Sequence, residues 1–176
     1  MQIHILGGAG SGKSYIANEL SIRWSIPHFD MDDIYWDNSV EMFGVKNPED
    51  IRDQKLSSIV DQFAWINEGV YISWMDPSFA SADYIFVLTV PLEMQEERIW
   101  TRYEQRKSGL LPSKKKETIE SVQELIEWNR NYNQVSLQHF LNHSIYQNKI
   151  VTLDDNAKIY KYLHVDLNRN NWRIQS

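Results

Sequence analysis

Gly7-Gly8-Ala9-Gly10-Ser11-Gly12-Lys13-Ser14 decides the reading of this chain. It fits the pattern Gly, four residues, Gly-Lys-Ser/Thr, and each position has a physical task. Glycines allow unusual backbone angles and remove side-chain bulk, so the chain can wrap closely round an anion. Backbone N–H groups then point inward. The helix that follows adds the partial positive charge of its N-terminus. Lys13 is placed to reach the β- and γ-phosphates of a nucleotide, and Ser14 to coordinate magnesium. A chance match in a chain of this glycine content is roughly a 1% event. The alternative, a glycine-rich turn with an accidental Lys-Ser, also leaves the flanking pattern unexplained. Gln2 to Leu6 is a short apolar run suited to a buried strand. Lys13 to Trp24 places Ile16, Ala17, Leu20 and Trp24 on one helical face.

Working outward, the pattern alternates. Residues 27–29 predict a second strand, followed by the acidic run Asp30-Met31-Asp32-Asp33. Asn47-Pro48-Glu49-Asp50 predicts a helix start with Asn47 as cap, running to about Gln62 and burying Ile51, Leu56, Ile59 and Phe63. Residues 64–67 and 84–89 predict strands three and four. Pro91 opens a helix carrying Met94 and Ile99, broken by Ser108 to Pro112. A long helix is expected from Glu117 to about Leu141, with Val122, Leu125, Trp128, Tyr132 and Val135 inward, and a fifth strand at 149–153. Strands alternating with helices predict an α/β three-layer sandwich: a parallel sheet with helices on both faces. The 176 residues are expected to form a single domain.

Composition narrows the function classes. With no Cys, a disulfide framework, a thiolate metal site and a Cys nucleophile are excluded. The opening residues lack the basic stretch and longer apolar run of a secretory signal, and no apolar run approaches a membrane span. A cytoplasmic protein with no membrane partner is expected. The net charge of −6 argues against nucleic acid as a partner. The charge is uneven, however. Residues 98–116 hold seven basic residues and one acid, so the strip carries +6 and the remaining chain −12. A basic strip on an acidic protein suggests a local anion site.

Candidate site residues lie around the loop. Ligands of open parallel sheets sit at the C-terminal ends of strands, which puts Asp30, Asp32 and Glu68 near Lys13. Asp30 and Asp32 could share a face if extended; Asp33 is better suited to capping the next helix. The fourth strand ends without an acid, leaving Asp30 or Glu68 as magnesium acids. Arg98, Arg102 and Arg106 recur every four residues along one helical face. They are either a phosphate-facing set or a solvated face paired with Glu97 and Glu104. Arg130 lies on the long helix. The five His residues have no metal-ligand spacing. Most Trp and Tyr residues are expected in the core, except Tyr35, Trp36, Tyr71 and Trp74, which follow strands two and three.

With these elements, residues 1 to about 155 resemble the nucleoside-monophosphate-kinase-like branch of the P-loop proteins. Within it they look most like the small adenylate-kinase-related proteins labelled DNA topology modulation proteins. The resemblance implies a five-stranded parallel sheet in the order 2-3-1-4-5 and a short lid, here at about 107–117, with an acceptor region at about 30–63. The Asp30-x-Asp32 arrangement resembles shikimate- and gluconate-type kinases. There one acid helps hold magnesium and another contacts or deprotonates an acceptor hydroxyl. Glu68-Gly69 resembles the Asp-Gly pair of adenylate kinases, which organises magnesium. The Arg that follows in those enzymes is replaced by Val70-Tyr71. The resemblance further implies that Arg102, Arg98 and Arg106 close on the phosphates, with Arg130 as a second lid arginine.

The expectation is therefore a phosphotransferase using ATP with magnesium. Gly7 to Ser14 hold the nucleotide, and Ser14 with Asp30 or Glu68 places the metal. Lys13, Asp30, Asp32 and Arg102 serve catalysis on a small-molecule hydroxyl. Two alternatives stay open: a nucleoside monophosphate as acceptor, and a nucleotide-binding regulatory protein with little or no turnover. No base-reading motif separates ATP from GTP.

Overall fold

The apolar runs flanking the glycine-rich segment form the middle of the sheet. In the computed structural model, which describes residues 1–39, 44–112 and 117–163, β1 (Gln2–Gly7) lies between β3 (Trp65–Gly69) and β4 (Tyr84–Leu88). β2 (His28–Asp30) and β5 (Ile150–Leu153) form the edges. The order is β2-β3-β1-β4-β5 and every pairing is parallel. Strands buried on both faces are mostly apolar along their length. Accordingly Ile3, Ile5, Leu6, Trp65, Ile66 and Ile85 to Leu88 expose no surface.

Helices cover both faces. α1 (Lys13–Trp24) buries Ile16, Ala17 and Leu20 against Ile3, Ile5 and Phe86. α2 (Asp32–Tyr35), α3 (Glu49–Val60) and α4 (Asp76–Ser81) contribute to the opposite core around Met31, Leu56, Trp65 and Phe79. α5 (Leu92–Lys107) and α6 (Ile119–Asn131) pack on each other through Ile99, Tyr103, Val122 and Ile126. The chain continues through a wide π turn, Tyr132–Ser136, into α7 (Leu137–His143).

Several boundaries differ from expectation. β2 extends to Asp30 because Asp30 pairs in register with Glu68, which lies inside β3 and not beyond it. Asn47 does not cap α3. Its side-chain amide instead donates to the Ile34 and Trp36 carbonyls at 2.8 and 3.0 Å, tying the α2 loop down, and Pro48 takes the cap position. α3 ends at Val60, short of Phe63, which is exposed, and Ile51 in its first turn also faces outward. Met94 is exposed and Gln95 is buried in its place. The long helix begins after a capping box at Thr118, and its π turn adds a residue to the period. The inward stripe runs Val122, Ile126, Asn129 and Tyr132 at ordinary helical steps and shifts through the π turn to Leu137 and Phe140; Trp128 and Val135 are exposed. The Lys114-Lys115-Lys116 run, residues 113–116 of the expected lid, residues 40–43 of the acceptor region and the tail beyond 163 lie outside the described residues.

Candidate functional site

β1 ends at Gly7, and the chain wraps round to enter α1 at Lys13. Gly12 caps that helix at φ 91°, a left-handed conformation that costs an L-residue strain. Lys13 folds back over the loop, its ammonium donating to the Gly8 carbonyl at 3.1 Å. Burial pulls that ammonium below the ordinary lysine range, against the opposing attraction of Glu68, Asp32 and Asp30.

The parallel register brings the acids to the loop. Ser14 donates to Glu68 Oε1 at 2.5 Å, and Glu68 is 2% exposed. Burial pushes the Glu68 carboxyl upward, opposed by Lys13 and the Ser14 hydroxyl. On the neighbouring strand, burial and the Glu68 charge push Asp30 up to about 6. His28 Nε2 stands 3.9 Å from Glu68. Lys13, Ser14, Glu68 and Asp30 thus form one cluster at the strand ends.

Asp32 is placed differently from expectation. It begins α2, and its backbone N–H donates to Asp30 Oδ1 at 2.9 Å, so the two acids do not lie along one extended face. The Asp32 carboxylate instead accepts the Tyr71 hydroxyl at 2.7 Å. Asp33 is a first-turn acid of α2, with Met31 at the cap. Beside Asp32, Tyr35, Tyr71 and Trp74 cluster at centroid distances of 4.6, 5.2 and 6.3 Å, and Trp36 packs edge-on to Tyr35. Lys46 lies 5.2 Å over the Tyr35 ring, and the Arg52 guanidinium 4.9 Å over Trp74.

The arginines of α5 separate in role. Arg102 is half-buried; burial, and then the neighbouring Arg106, lower its proton affinity, and its charge is felt by Lys13. Arg98 donates to the Gly10 carbonyl at 3.1 Å, at the rim of the loop. Arg106 is paired to Glu117 at 2.6 Å. Arg130 is exposed and held by both carboxylate oxygens of Glu96 at 2.6 and 2.7 Å, outside the cluster.

Three amide residues touching the loop escaped sequence reasoning. Asn129 accepts the Ala9 N–H at 2.7 Å, Gln95 bonds Asn129, and Asn156 donates to the Gly12 carbonyl at 3.3 Å. The available signal was an amide falling at a buried position of a helical stripe. A cleft of about 420 Å³ lined by Thr89 to Leu92 and by Asn133, Gln134, Leu137 and Gln138 holds none of the expected catalytic residues. Among the described residues, no three His, Cys, Asp or Glu side chains gather as a metal site, and no helix is long and apolar enough to cross a membrane.

The sheet order and the loop between β1 and α1 define the P-loop three-layer α/β fold. Solved structures agree. The chain is similar to a gluconokinase from Sinorhizobium meliloti 1021, with TM-score 0.53, 16% identity and coverage of 96% of this chain and 91% of that one. It is also similar to a shikimate kinase from Acinetobacter baumannii in complex with shikimate, with TM-score 0.57, 16% identity and coverage of 97% and 94%. At these identities the likeness is one of fold. In sequence, the chain is 31% identical over 105 residues to the uncharacterized protein YqaC of Bacillus subtilis strain 168. That match spans 59% of this chain and 57% of YqaC. No protein-family model matches the chain.

Proposed function

We propose that this protein is an ATP- and magnesium-dependent phosphotransferase that moves the γ-phosphoryl group to a hydroxyl of a small molecule. The observation that carries the reading is the cluster of Lys13, Ser14, Glu68 and Asp30 at the ends of three adjacent strands. The loop from Gly7 to Ser14 cradles the triphosphate, and Lys13 exchanges its Gly8 contact for the phosphate oxygens.

The donor set fits magnesium. Ser14 supplies a hydroxyl, and Glu68 and Asp30 are carboxylates that burial raises, with the charge of Glu68 raising Asp30 further and those of Asp32 and Asp33 raising Glu68, so a divalent cation would relieve the crowding of negative charge. Phosphate oxygens would complete its oxygen shell. When bound, the ion neutralises charge on the β- and γ-phosphates.

Asp30 or Asp32 orients the acceptor hydroxyl and takes its proton as the oxygen attacks phosphorus and the bond to the leaving ADP breaks. An acid titrating near 6 suits that exchange. Arg102 stabilises the charge spreading over the transferring group. Arg98 stands ready at the rim, whereas Arg106 and Arg130 would first leave Glu117 and Glu96. The Tyr35, Tyr71 and Trp74 rings form a wall for a flat or partly apolar acceptor.

A second reading, a nucleoside monophosphate as acceptor, is favoured by Lys46 and Arg52 on that wall. The test is ADP release from magnesium and ATP, with and without pooled hydroxylated metabolites, nucleosides and nucleoside monophosphates. Stimulation by a hydroxyl pool supports the proposal, and stimulation only by monophosphates supports the second reading. A flat response with ATP still bound moves the protein to a regulatory class.

A further inference from the structure

Beyond the catalytic cluster, the loop is gripped from its outer side by uncharged side chains. Asn129 Oδ1 accepts the Ala9 N–H at 2.7 Å, and Asn129 Nδ2 donates to Gln95 Oε1 at 2.9 Å. Gln95 Nε2 donates to the Val90 carbonyl at 2.6 Å and to Asn133 Oδ1 at 3.3 Å. Asn133 Nδ2 reaches Gln95 Oε1 and Asn129 Oδ1, each at 3.2 Å, and the Asn129 carbonyl at 2.7 Å. Gln95 and Asn129 expose no surface.

Burying amides is costly unless each is bonded, and these bond one another. The network also presses on the loop. A Cβ at Gly8 would fall 2.4 Å from Asn129 Oδ1 and Asn133 Nδ2, and 2.7 Å from Gln95 Oε1. Asn133 lies in the π turn, and its side chain supplies a donor to a carbonyl of the preceding helix. Wide turns of this kind recur where a helix is reshaped around a site.

We infer that Asn129 is a positioning residue for the phosphate loop, fixing the Ala9 limb to α6 through the Gln95–Asn133 amide network before a ligand arrives. The inference rests on the reading that this loop holds a triphosphate. Its consequence is that nucleotide affinity depends on an uncharged residue that need not touch the nucleotide. A loop already in its bound shape loses less freedom on binding.

The test uses the full chain with two readouts: hydrogen exchange at the Ala9 amide without ligand, and magnesium-ATP affinity by calorimetry. Asn129→Ala is expected to speed Ala9 exchange and to weaken magnesium-ATP, each by ~10-fold, the loss of about one hydrogen bond's worth of ordering. Asn133→Ala, which keeps the Ala9 contact and removes its support, shifts both in the same direction by less. It carries the test if Asn129→Ala does not fold. Asn67→Ala is the control: Asn67 is equally buried but donates to Ser78 Oγ, 3.0 Å away. That variant is expected to lower the melting temperature and leave both readouts near wild type.

Unchanged Ala9 exchange in the network variants overturns the inference, as does an affinity loss no larger than that of Asn67→Ala. Faster Ala9 exchange in Asn129→Ala in a protein that binds no magnesium-ATP supports the anchoring and defeats the functional reading. ATP binding with unaltered Ala9 exchange does the reverse.

Discussion

Asn in place of Asp30 should stabilise the ligand-free protein above neutral pH while disabling it. The Asp30 carboxyl is pushed from 3.8 up to about 6 by burial and by Glu68. Between those values the folded state holds a proton that the unfolded state has released. Stability therefore falls as pH rises through this window, and the full cost is present above about pH 6. The gap corresponds to ~3 kcal/mol in a dry site, and ~1 kcal/mol where water screens the cluster. Asn mimics the protonated acid and still offers Oδ1 to the Asp32 N–H. The assay is urea unfolding of both proteins at about pH 4 and about pH 8, without nucleotide or metal. Near pH 4 the two should converge. Near pH 8 Asp30→Asn should be the more stable, with a shallower loss between the two, the residual slope coming from the raised Glu68. A variant equal to or less stable than wild type at pH 8 would refute the reasoning, because the carboxylate would then be a satisfied group and not a strained one.

Other consequences follow from the same site. If Asp30 takes the acceptor proton, kcat/KM should rise with pH through about 6, and a flat profile across that range would remove Asp30 from the role. Arg102→Lys should lower kcat by ~10-fold or more with a smaller change in KM, since a lysine lacks the planar fork; equal losses in affinity alone would make Arg102 a binding residue. Gly12→Ala should cost ~1–3 kcal/mol in thermal unfolding, because its φ is 91° and the new Cβ would meet the Asn156 amide; a neutral substitution would mean that the loop can relax there.

Much of the architecture was legible because it depends on local rules. The run ending at Gly7 predicted a strand feeding a tight glycine-rich turn, and the strand–helix alternation predicted a parallel sheet. Glu68 and Asp30 were placed near Lys13 by strand ends alone, and the parallel register joins them. What sequence reasoning missed depends on long-range competition. Asn47 has the chemistry of a cap, yet the Ile34 and Trp36 carbonyls at the end of α2 take its amide instead. The π turn at Tyr132 shifts the buried face beyond it by one residue, which turned Val135 outward, whereas Asn129 is inward simply because it follows Val122 and Ile126 at ordinary helical steps. Gln95 reads as a surface residue until the loop is seen against it. Asp32 could have shared a face with Asp30 had the segment been extended, but its N–H closes a turn on the Asp30 carboxylate and starts a helix.

The central claim is that Gly7 to Ser14 form a triphosphate cradle closed by Lys13. It is tested most directly by calorimetric titration of magnesium-ATP into the wild-type protein and into Lys13→Ala. The account predicts saturable, one-to-one binding to wild type and a loss of ~100-fold or more in the variant, the scale expected when a charged partner of the phosphates is removed. Equal affinity in the two proteins, or no binding to wild type, would contradict it.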